Sequence, residues 1–137
     1  MRAFLGILLG LVAAIAVQAG LDWIAGLFYP VAITDLWDRN QVSEAFASRP
    51  TGALLLSVLN YFLAGLVGGV VAKKIARRGA VAWVPAAVLA LMALVLAFSY
   101  PMPAWTWFAS LAAPLIGGMI ARHLGGEPEP RNPSTAV

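Results

Sequence analysis

The sequence predicts an all-α protein, a four-helix transmembrane bundle, and three observations predict it. Four apolar runs fill most of the 137 residues, and each reaches the ~20 residues a helix needs to cross about 30 Å of hydrocarbon. The composition agrees: 61% of residues are hydrophobic and 11% charged, where a soluble domain is about a quarter charged. All of those charges but Asp22 fall at the ends of the runs, between them or in the terminal segments. The chain is therefore read as a single transmembrane domain over residues 1–124, with spans at about 3–29, 51–74, 80–100 and 103–123.

The first span follows basic Arg2. A basic start, an apolar stretch and small residues up to Ala19 also match a cleaved secretory signal. The apolar character resumes after Asp22, which is longer than the ~7–15 residues of a signal's core, so a retained anchor is expected. Residues 31–49 are bounded by Pro30 and Pro50. They are expected to form one or two short amphipathic helices on the outer surface, started by Thr34 or Asp35. Leu36, Trp37 and Phe46 supply their apolar side, with Trp37 in the membrane interface. Pro114 falls in the middle of the fourth span and should kink it. Residues 125–137 are rich in Pro, Gly and small polar side chains and are expected to be a disordered cytoplasmic tail.

Spans two and four have similar ends. The run from Gly68 and Gly69 to Ala72, Lys73 and Lys74 reads against Gly117, Gly118, Ala121, Arg122 and His123, position by position. Two hairpins related as a parallel repeat would explain this. Resemblance of two glycine-bearing helices with basic ends is the plainer alternative.

Basic residues orient the chain. Arg2, Lys73, Lys74, Arg77, Arg78, Arg122 and Arg131, seven of the nine, fall on one side if the chain crosses four times. The positive-inside rule then puts both termini in the cytoplasm. Trp23, Phe28, Tyr29, Tyr100, Trp105 and Trp107 gather at the opposite ends, where amphipathic rings settle among headgroups. The formal net charge of +3 is thereby explained without nucleic acid. Lys73, Lys74, Arg77, Arg78 and Arg122 serve topology, and each attracts anionic lipid by about 1 kcal/mol.

Small residues should pack the bundle, since in lipid the hydrophobic effect does not press helix against helix. Gly6, Gly10 and Ala14 form a row four residues apart, as do Gly65 and Gly69 with Gly68 and Ala72 beside them, and Ala113, Gly117 and Ala121 with Gly118 adjacent. All three rows lie toward the basic ends, so the helices should close there and splay toward the other side. Ordinary internal packing is the expectation; a self-association face competes with it. The third span, with Ala86, Ala90, Ala93 and Ala97, reads as a lipid-facing or general packing helix.

Polar groups at depth are the default pointers to function. At ~1.5 Å per residue, Gln18 lies about 24 Å from Arg2, Asn60 about 20 Å from Lys73 and Thr106 about 24 Å from Arg122. These three are expected to share a hydrogen-bonded layer that holds three helices in register, with Ser57 and Ser110 nearby. Asp22 lies one turn beyond Gln18 on the same face. Its functional reading is a proton or cation site in a vestibule lined by Gln18 and Asn60.

Catalytic chemistry is not expected. There is no cysteine, which excludes thiol redox work and thiolate metal sites. His123 is the single histidine and stands in a basic stretch. No HExxH, GxSxG, P-loop or CxxC motif occurs, and no metal or cofactor is implied. Asp35, Asp38 and Glu44 read as solvated charges.

In the run Arg49-Pro50-Thr51-Gly52-Ala53-Leu54, in Gly68-Gly69 through Ala72, and in Pro101-Met102-Pro103-Ala104-Trp105, the chain resembles small four-span inner-membrane proteins of bacteria. That resemblance implies a fold and a location and carries no activity with it. The first expectation for function is thus a non-enzymatic structural or accessory protein, self-associating or part of a larger membrane complex. A small transporter or channel using Gln18, Asp22 and Asn60 is the second.

Overall fold

Pro50 and Pro103 each hold the backbone extended, at ψ 152° and ψ 141°, immediately before a helix begins. Proline has no N–H to waste there, and its ring bars helical geometry in the residue before it. In the structure, a computed structural model that describes residues 1–31, 33–35 and 37–124, five α-helices follow in order. They are α1 (Arg2–Phe28), α2 (Arg39–Ala47), α3 (Thr51–Ala76), α4 (Trp83–Ser99) and α5 (Ala104–His123), with a 3₁₀ turn at Gly79–Ala82 leading into α4. No strand occurs among the described residues. Helices α1, α3 and α5, and Gly79–Ser99 taken together, are each long and apolar enough to cross a membrane. The fold is a four-helix bundle of the multi-pass membrane class. Residues 125–137, expected to be disordered, lie outside the described residues.

Helix α3 is the centre. It packs against α1 on one side and α5 on the other, while α4 leans on α5 and α3. Helices α1 and α5 do not meet. The seams run through small residues. A Cβ built on Gly10 would lie 2.6 Å from Ala72 Cβ, and one on Gly65 would lie 2.6 Å from the Pro114 carbonyl oxygen. Gly6 is covered by Ala72 and Ala76, Gly68 by Ala14 and Gly10, Gly69 by Ala121, Gly117 by Phe62 and Leu66, and Gly118 by Ala86. Contacts this close let backbones touch and collect dispersion along their length, which is what membrane helices use in place of hydrophobic collapse. All of these glycines face neighbours within the chain.

Helix α4 turns Ala86, Ala90, Ala93 and Ala97 inward beside Pro85 and Leu89, and leaves Leu91, Met92, Val95 and Phe98 exposed. Its alanine row is thus a packing face. Helix α1 is far less buried: Gly6, Gly10 and Ala14 are its buried residues, and Phe4, Leu8, Val12, Ile15, Trp23 and Leu27 are exposed.

The packing does not follow a two-hairpin repeat. Gly68 faces α1 and Gly69 faces α5, whereas the matching Gly117 and Gly118 face α3 and α4. Helix α3 touches α4, yet its would-be equivalent contact, α1 with α5, is missing. The similar ends record a shared need for small residues and a basic terminus, not a shared environment.

Helix α2 starts later than the Thr34 or Asp35 expected from sequence. Asp38 caps it, its carboxylate accepting from the Asn40 N–H at 3.0 Å and the Gln41 N–H at 3.5 Å. Asp35 instead accepts from the Trp37 N–H at 2.9 Å, closing a local turn, and the Thr34 hydroxyl donates to Gln41 Oε1 at 3.0 Å. Trp37 precedes the helix and is 95% exposed.

At the basic end α3 finishes on Arg77 in the left-handed region (φ 54°). Lys73 does not join Lys74, Arg77 and Arg78 on the surface. It is 7% exposed, and its ammonium donates to the carbonyl oxygens of Arg122 and Leu124. The C-terminus of α5 carries unpaired carbonyls and partial negative charge, and Lys73 answers both. That ammonium is therefore engaged within the chain rather than turned toward anionic lipid, while Arg122 offers an exposed side chain.

Candidate functional site

Gln18 and Asp22 stand one turn apart on α1 and so share a face. Opposite them on α3 is Asn60, 3% exposed. Its side-chain amide donates to the Gln18 carbonyl oxygen at 3.1 Å and to Asp22 Oδ1 at 2.7 Å. Both partners accept, so the NH₂ end of Asn60 must point at them. A helical carbonyl has a second lone pair free for such a donor. One side chain thus reads the backbone of α1 and its carboxylate together.

Thr106 does not complete the expected three-helix layer. Though 2% exposed, its hydroxyl donates to the Pro103 carbonyl in its own first turn, at 2.6 Å. A hydroxyl in a helix's first turn has local acceptors at hand and takes them. Since α1 and α5 do not meet, the layer joins two helices.

Where the glycine seams end, the helices part. A half-open cavity of about 1380 Å³ occupies the aromatic half of the bundle, between α1, α3, α4 and α5 and bounded on one side by α2. This exceeds the roughly 300–1,000 Å³ of ordinary ligand pockets. Gln18, Asp22, Ser57, Tyr61, Thr106, Trp107 and Ser110 line it within the bundle, and Gln41, Glu44 and Arg49 line it at the α2 side. The α2 wall is held by stacking. Phe46 lies face to face with Tyr100 at 4.7 Å, and the Arg49 guanidinium sits 4.7 Å over the Phe46 ring.

Three polar atoms in this region are buried without a partner: Gln18 Oε1, Asn60 Oδ1 and Trp107 Nε1. Trp107 packs edge-on against Phe98 at 5.2 Å, and its N–H finds no acceptor. Buried polar atoms are nearly always paired with protein, water or ligand, so three unpaired ones set this region apart. Asp22, Glu44 and Arg49 are the charged residues in the lining, a formal balance of one negative charge. Among the described residues no three His, Asp or Glu side chains gather to hold a metal.

Sequence reasoning placed Gln18 and Asn60 in one layer, with Asp22 one turn beyond, but missed Tyr61, Trp107 and Arg49 as residues of the site. Tyr61 adjoins Asn60 in α3 and Trp107 adjoins Thr106 in α5; an aromatic with a polar tip beside each deep polar residue was the available signal. Comparison with protein families, with curated proteins and with solved structures finds no match to this chain.

Proposed function

We propose that this chain is a non-enzymatic protein of the bacterial inner membrane that accepts a small solute in an outward-facing vestibule, as a small transporter does. The observation that carries the reading is the cavity itself, with Gln18, Asp22, Ser57 and Thr106 among the polar residues of its wall. The glycine rows, spent on internal seams, close the basic half, so the vestibule opens away from it. Reconstituted in liposomes, the protein should catalyse proton-coupled cation flux, and Asp22→Asn should abolish it. Equal flux through the variant, or none through the unmutated protein, would sink the reading.

The basic end is assigned to the cytoplasm, which faces the vestibule outward. The absence of native cysteine makes this testable with single introduced thiols. Trp37→Cys should react with a membrane-impermeant maleimide in intact spheroplasts, and Arg78→Cys only after permeabilisation. The reverse pattern inverts the assignment.

A second reading rests on α1. Its exposed apolar face, with three buried residues in 27, is a surface for a partner helix in a larger complex or a homo-oligomer. Crosslinking from Val12→Cys in native membranes should then give a discrete adduct, whereas monomer alone speaks against it.

A further inference from the structure

Beside the vestibule lies a second cavity of about 340 Å³, an apolar groove between α1 and α3. Leu21, Ile24, Leu56, Leu59 and Leu63 line it, with Asn60 among them. Ile24 and Leu59 are exposed, so in a bilayer the groove looks onto lipid. Ala25, Phe28 and Tyr29 line both cavities. Asn60 bridges the two linings: it lines the groove, while Gln18 and Asp22, which accept its hydrogen bonds, line the vestibule.

We propose that groove and vestibule form one site for an ammonium-headed amphiphile, its alkyl chain in the groove and its cationic head against Asp22 in the vestibule. The inference rests on the vestibule being a binding site and names its ligand class. Two features select a cation: the negative balance of the lining, and the aromatic residues Tyr29, Tyr61 and Trp107 in the wall. Ring faces attract quaternary ammonium groups, which need no hydrogen-bond acceptor. The groove selects an amphiphile over a free cation because it joins the head site to the lipid. Lipid tails are as apolar as leucine, so the groove positions the chain and the head decides affinity. The head passes from lipid to vestibule where Asn60 holds α1 to α3, and the Asn60–Asp22 bond is the contact it displaces.

The test uses the full chain in maltoside micelles, with calorimetric titration of three probes: dodecyltrimethylammonium below its micellar concentration, tetramethylammonium, and dodecyl sulfate. Dodecyltrimethylammonium should bind one per chain, at least about tenfold tighter than either other probe. Asp22→Asn should weaken it by about tenfold or more, the loss expected for one charge-assisted contact. Leu59→Trp, which fills the groove from its exposed side, should weaken the dodecyl cation and leave tetramethylammonium unchanged; unaltered thermal unfolding shows that each variant folds. Tetramethylammonium binding as tightly as the dodecyl cation overturns the amphiphile and leaves the vestibule reading standing. Equal binding of dodecyl sulfate overturns the cation preference. Absence of binding by every cation overturns both readings together.

Discussion

Gly10→Leu should leave the chain unable to assemble α1 on α3. A Cβ at this position already meets Ala72 Cβ at 2.6 Å and the Gly68 carbonyl oxygen at 2.7 Å, and both belong to a helix with nowhere to retreat. Behind α3, on its other face, Gly65 touches the Pro114 backbone, so a shift of α3 opens one seam to relieve the other. Overpacking typically costs about 1–3 kcal/mol; rigid backbone on both sides puts this case at or above the top of that range. Denaturation in mixed micelles, followed by tryptophan emission, should show the unfolding transition lost or strongly lowered. Gly20 and Gly26 are the controls. A Cβ at either meets nothing within 4 Å, so Gly20→Ala and Gly26→Ala should be neutral or stabilising by about 0.5–1 kcal/mol, since alanine is the better helix former. Similar stability for Gly10→Leu and Gly20→Ala would refute the seam.

Lys73→Met should be the most damaging change among the basic residues. Methionine keeps an apolar stem of similar reach but leaves the Arg122 and Leu124 carbonyls without the ammonium that now bonds them. Hydrogen bonds to charged groups contribute about 1.5–3 kcal/mol, and an orphaned buried acceptor adds its own desolvation. Lys74→Met, at an exposed side chain, should stay within about 0.5 kcal/mol. The measurement is the difference in thermal unfolding between the two variants. Matching losses would mean that charge near the membrane surface, not the cap on α5, is what the protein needs from Lys73. The sequence pairs these lysines as one basic cluster; their roles separate only because α3 rotates one inward and the other out.

Much of the candidate site was legible residue by residue, and its assembly was not. The four-residue spacing of Gln18 and Asp22 placed them on one face, and helical rise alone set Asn60 at about their depth. What joined them was the choice of α1 as the neighbour of Asn60. The same depth counting proposed Thr106, and there it failed, because the Pro103 carbonyl lies closer to its hydroxyl than another helix does. Asp38 shows the same limit at short range: three acidic or hydroxyl residues precede α2, and which of them caps it depends on where the chain straightens after Trp37. Trp107 read as an interfacial ring by its position near a span end, and only the parting of α1 from α5 turned it into a cavity wall.

Hydropathy and charge placement, taken alone, give the membrane class, the four helices able to cross and their ends to within a few residues, because these sum over neighbouring residues and need no partner. Which faces meet, and therefore where the large cavity and the apolar groove beside it lie, was decided by the tertiary structure. The physical reason is that lipid surrounds this bundle with a medium as apolar as its interior. Apolar periodicity, which marks the buried face of a helix in water, then carries no such mark, and fine steric fit between glycines and backbones chooses the neighbours instead.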